Sequence, residues 1–324
     1  MLLLSVLCNT PAAAPVYDFD GDGTADFAVK RSSGANTQLS WHILGSRDGY
    51  TATTFGYQFA NFEAGDATVL ADYDGDGKTD IAVMRRSPSV TTQIYWYILN
   101  SATGTVSIVP WGRTPTDIQV PQDYDGYGKT DIAVRRNDYW WILRSSDGGH
   151  YVEKFGDSLD EALQGGDYDG DGKDDLAVVR RFLDRTGGQS MTTLFVKYSG
   201  TGQIRISNLG DARITGAVTG DYDGDGRADV AKWEGTFWAW ERSSDGRTDG
   251  FRFGSDGDRP MPDDYDGDGK TDVAVFRQFN SIPGNSYHYF MIMQPDRAGY
   301  RAVAWGGPGD APIFDQRYVP PIGF

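Results

Sequence analysis

Four aspartates, Asp72, Asp74, Asp76 and Asp80, fall within nine residues, with Gly75 and Gly77 between them. Side chains at positions 1, 3, 5 and 9 of such a loop converge, because the glycines permit a sharp backbone path. Converging carboxylates repel one another unless a cation sits among them. Alternating carboxylates, with the backbone carbonyl of Lys78 at position 7, form the all-oxygen donor set that Ca²⁺ takes. The chain then turns at once into the apolar run Ile81-Ala82-Val83.

The same loop occurs six times. The first set is Asp18, Asp20, Asp22 and Asp26 with Thr24 at position 7, and the second has the carbonyl of Lys78. The third set is Asp123, Asp125 and Asp131 with Lys129; Tyr127 stands at its position 5, which predicts a weaker site. Then come Asp167, Asp169, Asp171 and Asp175 with Lys173, and Asp221, Asp223, Asp225 and Asp229 with Arg227. The last is Asp264, Asp266, Asp268 and Asp272 with Lys270. One such loop is as readily an Asx-rich turn. Six in register argue for metal. A helical EF-hand is excluded, because it needs a bidentate Glu at position 12 and a following helix. Position 12 here is Val29, Val83 or Val134, inside a β-prone run.

Charge agrees with this reading. The formal net charge is -16, and half of the 46 acidic residues lie in the loops. Six bound Ca²⁺ would bring the balance to about -4. The acidity and the lack of a Lys/Arg run argue against nucleic acid as a partner. No apolar run approaches the ~20 residues of a membrane span. Residues 1–14 read as a secretory signal segment, apolar over Leu2–Leu7 and ending in Ala12-Ala13-Ala14, though without a basic start. Cys8 is the single cysteine, and Leu7 before it fits a lipidation signal poorly. The expectation is a secreted or cell-surface chain, 15–324, in which metal loops and not disulfides are the cross-links.

The elements that position the loops repeat with them. The loops begin at Asp18, Asp72, Asp123, Asp167, Asp221 and Asp264, spaced by 54, 51, 44, 54 and 43 residues. Each is followed by an apolar strand, an aromatic strand and a turn such as Ser46-Arg47-Asp48-Gly49. A third segment then ends in Phe55-Gly56, Trp111-Gly112, Phe155-Gly156, Leu209-Gly210, Phe253-Gly254 or Trp305-Gly306. A short strand feeds the next loop. Four short strands per unit, without helical periodicity, predict an all-β chain. One four-stranded sheet cannot bury both faces alone, but radial stacking does, so the units predict a β-propeller. Six blades are expected, with seven as the alternative. The segment 311–315 copies a pre-loop strand with no loop after it, so it is expected to complete the first blade and close the ring.

The pattern Phe-Gly followed by Asp-Tyr-Asp-Gly-Asp-Gly-Lys-x-Asp-Ile-Ala-Val resembles the FG-GAP repeat family, also called integrin-α-like or VCBS-type. The resemblance runs over the whole chain beyond the signal segment. It implies a Ca²⁺-loaded propeller whose metal loop joins the first two strands of each blade. It further implies extracellular recognition of glycans or proteins, as in integrin α heads and fungal propeller lectins.

Other recurrent residues read as structural. Arg31, Arg85, Arg136, Arg180 and Arg277, with Glu234 in the fifth unit, lie five residues past each loop. They are expected to stack on blade aromatics or pair with carboxylates. Trp41, Trp96, Trp140, Leu194, Trp238 and Phe290 recur in phase and are expected in the core. The units differ in loops 32–39, 86–94, 181–193 and 278–289, on the face opposite the metal loops. Loops on a rigid frame carry binding sites, so this face is the candidate ligand surface. Enzyme signatures are poor: the three His lack zinc-type spacing, and Gly77-Lys78-Thr79 lacks the upstream glycine of a phosphate loop. The leading reading is therefore a non-enzymatic, lectin-like or adhesive module. The alternatives are an extracellular polysaccharide lyase or hydrolase, and a subunit of a surface or filament assembly.

Overall fold

The computed structural model describes residues 17–58, 66–86, 93–113, 117–182, 190–212, 216–282, 285–294, 299–307, 310–313 and 318–319. Residues 1–14, expected to be a signal segment, and much of loops 86–94 and 181–193 lie outside them; the stretch 278–289, expected as a loop, is instead strand over 278–282 and 285–289, because the second and third strands of that blade extend as a hairpin. Among the described residues every regular element is a strand, and no helix is long and apolar enough to cross a membrane.

Six antiparallel sheets stand as the blades of a propeller. From inside outward, blade two is Ala67–Thr68, Ile81–Arg86, Gln93–Leu99 and Val106–Arg113. Blade three has Ile118–Gln119, Ile132–Arg136, Tyr139–Leu143 and His150–Lys154. Blade four has Glu161–Leu163, Leu176–Phe182, Met191–Lys197 and Ile204–Gly210. Blade five has Gly216–Gly220, Asp229–Glu234, Phe237–Glu241 and Thr248–Arg252. Blade six has Arg259–Pro260, Ala274–Ile282, Asn285–Gln294 and Gly299–Ala304. In blades two to six the acidic loop joins the innermost strand to the second.

Blade one is built from both halves of the chain. Its outer three strands are Phe27–Ser32, Thr37–Gly45 and Gly49–Gln58. Its innermost strand is Asp310–Pro312, in register Val29↔Pro312 and Arg31↔Asp310. The ring thus closes at six blades as expected; residues 314 and 315 of the closing segment lie outside the described set. Blade five has a strand the sequence did not announce. Tyr318–Val319 pairs with its innermost strand, Val218↔Tyr318 and Ala217↔Val319. Two residues are too few to show a period.

The second strands are buried on both faces, as in Ile132-Ala133-Val134, because blades cover them on each side. Third strands alternate, and their recurrent residues fill the gaps between blades. Trp41, Trp96, Trp140, Leu194, Trp238 and Phe290 are all buried. The indoles of Trp41, Trp96, Trp140 and Trp238 donate to the carbonyls of Phe55, Trp111, Phe155 and Phe253, so the aromatic before each glycine also orients a tryptophan. Truncating one of them to Ala removes ~3–5 kcal/mol.

The five post-loop arginines are clamps. Each makes two parallel bonds to an aspartate in the connection between blades: Arg31 to Asp310, Arg85 to Asp66, Arg136 to Asp117, Arg180 to Asp160, Arg277 to Asp258. The same carboxylates accept the backbone N–H after the repeat glycine, at Gly307, Tyr57, Arg113, Asp157 and Ser255. A bidentate guanidinium offsets the desolvation of carboxylates that are almost wholly buried. Arg85, Arg136 and Arg180 also lie over Tyr97, Trp141 and Phe195. Glu234 instead pairs with Lys232 in its own strand, at 2.9 Å.

Candidate metal centres and the mouth of the channel

Loop two shows how the backbone arranges the carboxylates. Asp72, at position 1, takes the N–H of Gly75 on Oδ1 (2.6 Å) and of Gly77 on Oδ2 (2.8 Å). Both glycines have positive φ, at 79° and 82°, which few other residues adopt. Asp80, at position 9, takes the N–H of Tyr73 on Oδ2 and of Ser101 on Oδ1. Asp76 takes the N–H of Lys78 and the Ser101 hydroxyl, and Asp74 takes the N–H of Ala102. Oxygens of Asp72, Asp74 and Asp80 then lie within 4.8 Å of one another.

The structure brings together positions 1, 3 and 9 in loop three as well (Asp123, Asp125, Asp131), and positions 1, 3 and 5 in loops one, four and five: Asp18, Asp20 and Asp22; Asp167, Asp169 and Asp171; Asp221, Asp223 and Asp225. In loop six, Asp264 receives Gly267 and Gly269, and Asp272 receives Tyr265, so its backbone follows the same path.

Sequence reasoning missed one recurrent partner. The serine opening the outer turn, Ser46, Ser101, Ser145, Ser199 or Ser243, donates its N–H to the position-9 aspartate. In four blades its hydroxyl also reaches position 5, at Asp22, Asp76, Asp171 and Asp225. In blade three, where Tyr127 removes that carboxylate, the Ser145 hydroxyl donates to the Lys129 carbonyl at position 7. The recurrence of Ser at the turn was the available signal.

The donor set fits a hard cation. A carboxylate offers about four lone-pair sites, and the loop donors above occupy only part of them. Asp20 Oδ1, Asp125 Oδ1 and Asp169 Oδ1 are buried and accept no hydrogen bond, and of the three only Asp20 Oδ1 has an ion-pairing cation near it among the described residues, the Arg47 guanidinium at 3.9 Å. A buried carboxylate oxygen with no donor is costly unless a cation faces it. Burial pushes the position-9 carboxyls up, to about 7 at Asp26, Asp175 and Asp272 and about 6 at Asp131 and Asp229; neighbouring loop aspartates add to the rise, against the backbone donors. Burial likewise raises Asp72, Asp123, Asp221 and Asp264. A cation among these groups reverses that pressure. Loop five differs: Arg227 Nη2 lies 2.5 Å from Asp225 Oδ2, and that carboxyl sits below its usual range despite burial.

The six loops are joined around the channel. The position-8 amide of each loop donates to the position-1 carbonyl of the loop before it. The pairs are Thr79 to Asp18, Thr130 to Asp72, Asp174 to Asp123, Ala228 to Asp167, Thr271 to Asp221 and, across the closure, Ala25 to Asp264, at 2.6–2.8 Å. The position-7 side chain lies over the preceding loop as well. A Cβ on Gly21, Gly75, Gly126, Gly170 or Gly224 would come within 3 Å of Lys78, Lys129, Lys173, Arg227 or Lys270. These glycines are needed for close approach as well as for φ. Inside this belt the channel opens into a cavity of about 670 Å³.

A six-bladed propeller with an acidic loop leading into the second strand of each blade defines the class. The FG-GAP-like repeat family model matches residues 167–231, from loop four into the second strand of blade five. The match and the six blades together are consistent with an FG-GAP-type propeller. Among solved structures, a triple arginine-to-alanine mutant of AofleA from Arthrobotrys oligospora is similar at 10% identity and a TM-score of 0.47, covering 96% of this chain and 92% of that one. No curated protein matches the chain.

Proposed function

We propose that the chain is a secreted, Ca²⁺-stabilised binding module that recognises glycans or extracellular proteins without turning them over. The donor-free buried oxygens of Asp125 and Asp169 carry the metal part of this reading. Ca²⁺ has a structural role in it: it neutralises carboxylates that the fold presses together and stiffens six glycine-rich loops. Recognition is assigned to the opposite face, because the frame repeats and the loops there do not. Of the four variable stretches, 32–39 is described throughout and carries Asn36 in a left-handed conformation, φ 60°.

Thermal denaturation with Ca²⁺ and with chelator tests the metal role; an unchanged midpoint would overturn it. A glycan array probed with and without Ca²⁺ tests recognition. Binding lost when loop 32–39 is replaced by a two-residue turn is the expected result, and an array without hits moves the partner to protein.

A further inference from the structure

We propose that the cavity ringed by the metal loops is a second binding site, for an anionic saccharide held by Lys78, Lys129, Lys173 and Lys270. This rests on the Ca²⁺ reading above and places a ligand at the end of the channel opposite the variable loops.

The cavity's size, about 670 Å³, falls in the range of small-molecule sites and suits two or three sugar rings. The four lysines lie on its lining. Their stems lie across the neighbouring loops' glycines, so each ammonium is carried on a fixed base. None of the four ammoniums makes a hydrogen bond or an ion pair within 4 Å among the described residues, although the charge of Lys78 also acts on the Asp48 carboxylate of the outer turn of blade one. The same position in loop five shows the contrast: the Arg227 guanidinium is tied to Asp225 and to the Ser243 carbonyl. Thr24 is the neutral sixth member. The lysines without a bonded partner thus stand on loops two, three and four, with loop six beyond the gap.

The lining also holds carboxylates, and the arrangement turns them away. Asp72, Asp123, Asp167, Asp221 and Asp264 spend both oxygens on amides of their own loops. Asp174 and Asp263 accept the backbone N–H of Asp123 and Asp264. With a divalent cation in each loop, those charges are offset and the lysines dominate the field in the mouth. Gln164 gives its amide N–H to Gln119 and keeps its amide oxygen for a sugar hydroxyl. An anionic group on a polyhydroxyl body is the chemistry that matches both parts.

The test is calorimetric titration of trigalacturonate into the Ca²⁺-saturated protein and into K78Q/K129Q/K173Q/K270Q, which removes the charges and keeps most of each stem. We expect measurable binding by the native chain, at least tenfold weaker binding by the variant, and weakening as NaCl is raised. K129Q and K173Q alone, each expected to weaken binding two- to fivefold, serve if the quadruple variant does not fold. A sulfated chondroitin disaccharide is expected to compete and maltotriose is not. Equal affinity in all lysine variants, or no binding of either acidic saccharide, overturns the site. Inorganic phosphate binding as well as trigalacturonate overturns the saccharide. Array hits confined to neutral glycans, with no trigalacturonate binding, remove this site and leave the proposed module standing; an empty array and no titration heat remove both glycan readings.

Discussion

Blades four and five are neighbours with the same four aspartates in their loops, yet their charges are partnered differently. In blade four, Arg180 reaches Asp160 of the blade connection and lies over Phe195. Its loop leaves Lys173 at the cavity and Asp169 Oδ1 without a donor. In blade five, Glu234 replaces the clamp arginine and pairs with Lys232. Arg227 turns back onto its own loop, and the extra strand Tyr318–Val319 lies along the inner edge. What both keep is the backbone: the position-1 turn, the position-9 bridge and the amide link to the next loop. The repeat preserves the path of the chain and the set of converging oxygens. The partner of each remaining charge is free to change.

Removing the metal separates the two blades most. Chelation is expected to lower the melting midpoint by more than ~10 °C, since a ligand bound only to the folded state stabilises it by mass action. Amide exchange in chelator should rise more over 167–175 than over 221–229, where Arg227 supplies a tethered cation. Equal rises would remove the distinction.

The next largest effect is at the clamp. Arg180→Met leaves the nearly buried Asp160 carboxylate without its cation and is expected to cost ~2–4 kcal/mol in urea denaturation with Ca²⁺ present. Glu234→Gln should stay within ~0.5 kcal/mol, because its pair is partly exposed. A cost at Glu234 matching that at Arg180 would break the comparison.

Smaller still is loop-specific metal affinity. Asp74→Ala in loop two is expected to destabilise the Ca²⁺ form more than Asp125→Ala in loop three, which already has Tyr127 in place of a carboxylate. Paired melting curves at one Ca²⁺ concentration decide it.

The pH profile gives the last test. The position-9 carboxyls of Asp26, Asp175 and Asp272 are raised to about 7 and those of Asp131 and Asp229 to about 6, against about 4 in an unfolded chain. The metal-free fold binds these protons more tightly than the unfolded chain. Its stability from them is present at pH 4 and is lost as pH rises through 6 to 7. With Ca²⁺ bound, protons compete with the cation, and stability should fall as pH is lowered. Midpoints measured at pH 5 and 7.5, with and without Ca²⁺, should therefore shift in opposite directions.

Much of this was legible beforehand. The aspartate spacing, the 43–54-residue period, the apolar strands and the in-phase aromatics led to loops, blades and core. The post-loop arginines were expected to pair with carboxylates or stack on aromatics, and they do both. Their partners were less visible. Asp160 lies 20 residues from Arg180, and Asp310 lies 279 from Arg31. The Asp four residues past Gly156, Gly254 and Gly306 was nevertheless a readable repeat.

Composition and spacing alone carried the all-β class, the oxygen-rich loops and the repeat of the blade, because side-chain type and period are written along the chain; six rather than seven blades was decided by the pairing of Asp310–Pro312 with Phe27–Ser32. The belt of amides linking loop to loop left no such mark, since every residue but proline offers the same N–H. Nor did the placing of the lysines: that Lys173 borders a cavity while Arg227 is tied down depends on where the preceding blade places Gly126 and Gly170 beneath them. Closing the ring brought those groups together, and it turned six separate loops into one mouth.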